Sequence, residues 1–332
     1  MAQKSGKASI GLLGDRSSGK SVAMSLLWLT ARNKSIQAPD KFIVDVDPRS
    51  LQIFQETSGS LERKRFPSAT MKGALSHVQL KFRFSTIPNI KIPSILRAKK
   101  LFTSKFLWKN VTMTINDIAG EDIKDTLVSA AKIQDTRGLM ESIGDNDQIK
   151  QLLNNQAFII MLDGEKLTNN DSCVALDYEV ATIISALQNY RKLINKRSFN
   201  GLVFIISKWD VFAKNLGDSI DSDDVKELVK PLIPTTVNAI NTLERDKIMK
   251  SDTIPWLPSR IDVLRDDNGD EMLTPITNID GTPRLLPDGE EDKGPEIKSP
   301  LTEHYSVDTY EEVLGWIQSL ETSFLDAFRS PR

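Results

Sequence analysis

The chain has 332 residues, 39% of them apolar, a formal charge of −2 and one cysteine, Cys173. That length and apolar content support a substantial core, in one elaborated domain or two, and the near balance of charge excludes a global attraction to nucleic acid or to an acidic membrane surface. A lone thiol excludes an internal disulfide and fits a reducing compartment, and with His77 and His304 as the only histidines nothing supports a Cys/His zinc site or a cysteine-protease dyad.

The opening MAQKSGKAS has no hydrophobic signal segment, and no apolar run approaches the roughly 18 residues of a membrane span. Ala2 stands where myristoylation needs glycine, and the tail FRSPR lacks a prenylation cysteine. The expectation is a soluble, cytoplasmic protein. The first apolar run, Ser9 to Leu13, leads into GDRSSGKS, Gly14 to Ser21, and then into the helical VAMSLLWLTARNK. Strand, glycine-rich loop and helix in that order make a phosphate-binding loop. Gly14 and Gly19 let backbone N–H groups, with those of Ser17 and Ser18, turn inward around a phosphate. Lys20 reaches the β and γ oxygens, and Ser21 offers a hydroxyl to Mg²⁺.

Further along, Ser35 to Ala74 inserts a strand, KFIVDVD, and a helix. VQLKFRF (78–84) and VTMTI (111–115) alternate, as strands with one wetter face near a sheet edge do. Between them Lys91 to Lys109 holds Arg97, Lys99, Lys100 and Lys105 interleaved with Phe102, Phe106 and Trp108, and no acid. This patch reads either as an insertion packing its aromatics on the domain or as a contact for an anionic membrane or RNA. Ala157 to Leu162 and Leu202 to Ile206 are apolar without alternation, which implies burial on both faces. Helical spacing runs from about Cys173 to Leu193 and from about Asp223 to Leu243, the latter opened by Asp221, Ser222 and Asp223. The segment from Arg265 to Pro300, rich in Asp, Gly and Pro, suggests a hairpin turning at Asp280-Gly281. Strands alternating with helices predict an α/β fold: a mostly parallel sheet covered on both faces, with ligand beyond the strands' carboxyl ends.

Two later strand ends decide the nucleotide. Asp117-Ile-Ala-Gly120 follows VTMTIN, unlike the D-x-x-G strings at Asp135 and Asp266, which follow no apolar strand. A carboxylate at Asp117 holds the Mg²⁺ shell, and the Gly120 N–H meets a γ-phosphate, so hydrolysis frees the next segment. Ser207-Lys208-Trp209-Asp210 follows LVFII. Asp210 can accept from both N1–H and the exocyclic amine of guanine, whereas adenine presents an acceptor at N1. Lys208 lays its stem along the purine.

With GDRSSGKS, DIAG and SKWD in order, each after a strand, the chain resembles the Ras-like, translation-factor-related class of P-loop GTPases over about two thirds of its length. The long insertion before the switch, the string FPSAT and the final helix SVDTYEEVLGWIQSL look like the double-GTPase type of prokaryotic conflict and signalling systems. The resemblance implies a three-layer fold with a six-stranded sheet, one strand antiparallel, forming a single domain over 1–332 with insertions at about 35–74, 87–109 and 265–300. It also implies a switch threonine giving a hydroxyl to Mg²⁺ and an N–H to the γ-phosphate. Thr70 occupies that place, though a solvent-exposed turn threonine is its other reading. Ser207 departs from the usual Asn or Thr and is too short to brace the phosphate loop as an Asn amide does. For the last base-contact loop the only candidate is Ser259 in PWLPSR.

Catalysis is expected to rest on Lys20, Thr70, Gly120 and Glu121. Glu121 stands where the Ras pattern has a glutamine; it can accept from water but cannot also donate, so turnover is expected to be slow. Arg16 reads either as an internal arginine finger or as an exposed loop residue. The expected activity is a slow GTP-hydrolysing switch with Mg²⁺, read by a protein effector or an activating protein, with nucleotide-dependent dimerisation open. A GTP-stabilised scaffold without useful turnover is the rival, and a P-loop kinase or ATPase is disfavoured by SKWD.

Overall fold

Every residue from Ala157 to Asp163 is buried, and successive side chains enter different cores. Ala157, Ile159 and Met161 join one apolar cluster and Phe158, Ile160 and Leu162 another. A strand pointing apolar groups both ways must be interior with helices on both sides. The computed structural model describes residues 7–15, 18–66, 78–85, 108–115, 136–143, 147–195, 198–216, 224–251, 253–268, 271–276, 282–286 and 289–320. Its elements in chain order are β1 (Lys7–Gly14), α1 (Lys20–Gln37), β2 (Phe42–Val46), α2 (Pro48–Glu62), β3 (Val78–Ser85), β4 (Trp108–Ile115), α3 (Thr136–Ile143), α4 (Asp147–Leu153), β5 (Ala157–Asp163), α5 (Gly164–Leu167), α6 (Asn170–Tyr190), β6 (Gly201–Ser207), α7 (Trp209–Leu216), α8 (Val225–Val229), α9 (Pro234–Arg245), β7 (Trp256–Pro258), β8 (Leu273–Pro275), β9 (Lys293–Pro295) and α10 (Val307–Ser319).

The main sheet has the order β2-β3-β4-β1-β5-β6-β7. β1 pairs in parallel with β4 and β5, and β5, β6 and β7 continue in parallel. β3 is antiparallel to both of its neighbours. The architecture is therefore three-layer α/β with a mostly parallel sheet, with α1, α2 and α10 on one face and α3, α4 and α6 to α9 on the other.

Seven strands replace the expected six, because the 35–74 insertion adds β2 at the edge. Phe42 there lies 6.3 Å from Phe82 and 5.0 Å from Phe84, ring centre to ring centre, so the added strand extends the core. β3 alternates as its sequence suggests, with Val78, Leu80, Phe82 and Phe84 buried, but as the strand next to the edge. Asp47 caps α2, accepting from Arg49 N–H at 3.1 Å and Ser50 N–H at 3.2 Å, with Pro48 at the first helical position, where its missing N–H costs nothing. Asp45 pairs with Arg83 at 2.7 Å.

The helix expected over 223–243 is three pieces: α8, a 3₁₀ turn at Lys230–Leu232, and α9. Pro231 and Pro234 have no N–H to continue the ladder; Pro231 is the second residue of the 3₁₀ turn and Pro234 the first of α9. α9 has no capping side chain of its own. The buried Asp177 carboxylate of α6 fills that role, accepting from Thr235 N–H at 2.9 Å and Thr236 N–H at 2.6 Å. Cys173 is buried and its thiol donates to the Leu232 carbonyl at 3.3 Å. Burial also pushes that thiol's pKa up, which fits a packing role.

After β7 the chain forms an arm. β8 and β9 pair in antiparallel, and Arg284 N–H donates to the Ile276 carbonyl at 2.7 Å; Asp280 and Gly281, where the sequence suggests the turn, lie outside the described residues. The arm returns to the body at Ile297, which donates to the Lys64 carbonyl at 3.0 Å beside a Lys64–Glu296 ion pair. The buried Ile297, Leu301 and Tyr305 join the core of the α1 face, where the Tyr305 hydroxyl lies 2.8 Å from that of Thr30. The basic-aromatic stretch 91–107 lies outside the described residues. Among those described, no helix is long and apolar enough to cross a membrane.

Candidate functional site

β1 occupies the middle of the sheet, so the chain leaving it emerges between β4 and β5, at the carboxyl ends of the parallel strands. Two glycines make the turn that follows. A Cβ on Gly14 would lie 2.8 Å from both Met161 Cβ and Ser18 Oγ, and its φ of +154 is one side chains rarely adopt. Gly19, at φ 77 and ψ 18, is the left-handed residue that starts α1. Ser18 is fully buried, and its hydroxyl donates to the Asp15 carbonyl at 2.7 Å, closing the loop on itself. The Lys20 ammonium lies inside that loop, donating to the carbonyls of Gly14 at 2.8 Å and Asp15 at 2.6 Å. Ser21 follows in the first turn of α1.

Two strands away, β6 ends at Ser207 and opens into α7. Ser207 Cβ lies 3.8 Å from where a Cβ on Gly19 would stand, so the loop that β6 feeds lies against the loop that β1 feeds. The Ser207 hydroxyl donates to the Leu162 carbonyl at 3.2 Å, so the short side chain braces β5 and not the phosphate loop. Lys208 has φ 49. Its ammonium donates to Asp163 at 3.0 Å and Glu165 at 2.7 Å; burial alone would lower its pKa, and these two carboxylates carry it above the ordinary lysine value. Asp210 lies in the first turn of α7. Burial raises its pKa above 3.8 against backbone N–H bonds from itself and Val211, with Glu271 adding to the rise and Arg265 opposing it. Glu271 and Arg265 pair at 3.3 Å at the root of the arm.

The loop after β7 meets the same place. Ser259 N–H donates to the Ile206 carbonyl at 2.7 Å, and Trp209 N–H donates to the Ser259 carbonyl at 3.1 Å. The Ser259 hydroxyl is turned away, 2.7 Å from the buried Tyr310 hydroxyl, so what this residue offers the site is backbone.

Sequence reasoning missed the turn after β5, Asp163-Gly164-Glu165-Lys166. Asp163 is buried, caps α5 and holds Lys208, while Lys166 forms an ion pair with Asp15 inside the phosphate loop. Three charged residues and a glycine directly after the unbroken apolar run 157–162 were the available signal. Of the other candidates, Arg16, Ser17, Thr70, Asp117, Gly120 and Glu121 lie outside the described residues. β4, the neighbour of β1, ends at Ile115, two residues before Asp117. Among the described residues no three His, Cys, Asp or Glu side chains cluster as a metal site, and Ser21 is the Mg²⁺ candidate among them.

No protein-family model matches the chain, and no curated protein matches it. Solved structures do. The signal recognition particle receptor SRb-GTP/SRX complex from Chaetomium thermophilum is similar at 10% identity and TM-score 0.34, over 76% of this chain and 90% of that one. The GTPase-like domain of S. cerevisiae Ski7, bound to GTP, is similar at 14% identity and TM-score 0.34, over 96% of this chain and 52% of that one. The G domain of the T. maritima FeoB iron transporter is similar at 10% identity and TM-score 0.24, over 76% and 87%.

Proposed function

We propose that the chain is a guanine-nucleotide-binding protein that takes up Mg-GTP and hydrolyses it slowly to GDP and phosphate, switching conformation for a protein partner. The observation that carries this reading is the meeting of two sequence motifs that serve opposite ends of one ligand: Gly19 of the phosphate loop against Ser207 of the base loop. The residues present fit a magnesium nucleotide, since Gly14 and Gly19 adopt positive-φ conformations that let the loop turn where side chains would obstruct it, and Ser21 supplies a hydroxyl beside Lys20. When bound, Mg²⁺ neutralises charge on the β and γ oxygens.

In this reading Lys20 leaves the carbonyls of Gly14 and Asp15 for the phosphate oxygens, and the loop amides of Gly14 to Ser21 donate to the β-phosphate. Ser21, Thr70 and Asp117 hold the metal and its water. The Gly120 N–H and Thr70 sense the γ-phosphate, and Glu121 accepts from the attacking water. Lys208 lies along the purine and Asp210 accepts from its two N–H groups. Two charge-assisted bonds of about 1.5–3 kcal/mol each correspond to about two to four decades of preference over adenine. The whole chain acts as one cytoplasmic domain with insertions. The rival reading, a scaffold that holds GTP without useful turnover, is favoured by Glu121 standing in the glutamine position.

The test is to denature the purified protein, identify the released nucleotide by chromatography, and follow GTP hydrolysis with Mg²⁺. Guanine nucleotide with slow phosphate release supports the switch. Retained GTP with no release over hours, even with candidate partners, favours the scaffold. If Asp210→Asn leaves the GTP-over-ATP preference unchanged, the base assignment is wrong.

A further inference from the structure

The corner where β5 runs into α5, Asp163 to Lys166, touches both candidate loops through three kinds of contact. Its backbone is pressed on the base loop: a Cβ on Gly164 would lie 2.5 Å from the Ser207 carbonyl oxygen and 2.9 Å from that of Lys208. Its carboxylates, Asp163 and Glu165, take the Lys208 ammonium. Its cation, Lys166, takes the Asp15 carboxylate of the phosphate loop, where the Asp15 side chain is 16% exposed. The three contacts come from four consecutive residues, Asp163 at the end of the strand between β1 and β6 and the first three residues of α5, so both loops are tied to this one corner.

We propose that Asp163 to Lys166 form a clamp that fixes the spacing of the phosphate loop and the base loop, with Lys166 positioning the former through Asp15 and Glu165 the latter through Lys208. The proposal rests on the guanine-nucleotide reading for its ligand and on the ligand-free contacts for its geometry. A nucleotide bridges the two loops rigidly, so any slack between them is ordering that binding must supply. A preformed spacing removes that cost. Lys166 touches no nucleotide atom in this scheme; it acts only through Asp15.

The full-length protein is titrated with fluorescently labelled GDP and GTP as wild type, Lys166→Met, Lys166→Arg, Asp15→Asn and the Asp15→Asn/Lys166→Met pair. Amide exchange over residues 14–21 and 207–210 is measured in parallel without nucleotide. Lys166→Met and Asp15→Asn are each expected to weaken both nucleotides about fivefold, as losing a half-buried ion pair should. The double variant should bind no worse than either single variant, Lys166→Arg should restore binding, and exchange over 14–21 should quicken in Lys166→Met. Single effects that multiply in the double variant, Lys166→Arg as weak as Lys166→Met, or unchanged exchange over 14–21 would each overturn the clamp. If the wild type binds neither nucleotide, the guanine reading falls, and the exchange comparison still decides whether the turn restrains the loops.

Discussion

Ser207 Cβ lies 3.8 Å from the point where a side chain on Gly19 would begin, so the residue that opens the base loop faces the residue that closes the phosphate loop. There is room for a methyl group there, but Gly19 sits at φ 77, a left-handed conformation that costs a residue with Cβ about 1–2 kcal/mol. Gly19→Ala is therefore expected to lower stability by about that amount in urea unfolding, and Gly19→Val, whose β-branched side chain is still less compatible with that conformation, to abolish binding in the titration with labelled nucleotide. Full binding by Gly19→Val would show that the two loops do not share a ligand.

If Asp210 reads guanine as proposed, it links that preference to pH. Its folded-state pKa lies above 3.8, so on acidification it takes up a proton before an exposed aspartate does, and a protonated carboxyl cannot accept both guanine N–H groups. The GTP-over-ATP preference should therefore fade as pH falls, starting above pH 3.8. The sign for stability is the reverse of a paired carboxylate: a raised folded pKa contributes stability at low pH that is lost as pH rises through it. Asp210→Asn should then be at least as stable as wild type at neutral pH, with the gap closing on acidification. A melting series against pH, run beside the binding series, checks both.

Gly164→Ala places a methyl against the carbonyls of Ser207 and Lys208 and should cost about 1–3 kcal/mol by overpacking. Gly315→Ala is the matched control: it lies inside α10 with nothing within 4 Å of the new atom, and should gain about 0.5–1 kcal/mol from helix propensity. The midpoints of denaturant unfolding should move in opposite directions.

Asp177→Ala removes the acceptor for two N–H groups at the start of α9, that of Thr236 buried and that of Thr235 partly so. The expected loss is about 1–2 kcal/mol, the value of a good helix cap, and Asp177→Asn should recover part of it through its remaining oxygen. Equal losses in the two variants would point to packing and not to capping.

Much of this was legible in the chain itself. The unbroken apolar runs at 157–162 and 202–206 announced interior strands, because only two-sided burial tolerates apolar groups at every position. The strings GDRSSGKS and SKWD stood out because the residues of each are adjacent in sequence and tied to a strand end, β1 and β6 in the structure. Other features were not. β2 read as a strand, but its place at the sheet edge depends on pairing Phe42 with Phe84, a long-range match that no local pattern encodes. The pairing of Asp15 with Lys166 is of the same kind. The break in the 223–243 helix was in plain view at Pro231 and Pro234, where spacing was allowed to outweigh the missing N–H groups.

The stretch from Ser259 to Tyr305 leaves the sheet at its β7 edge and is fastened farther on to Lys64, just past the helix that follows the strand at the opposite edge. It behaves as a strap across the molecule, buckled at both ends. A protease cutting at the exposed Leu285 and Leu286 would sever the polypeptide without parting it: Ile297, Leu301 and Tyr305 remain seated among the α1-side apolar groups, and the two fragments should travel as one particle until denaturant is added.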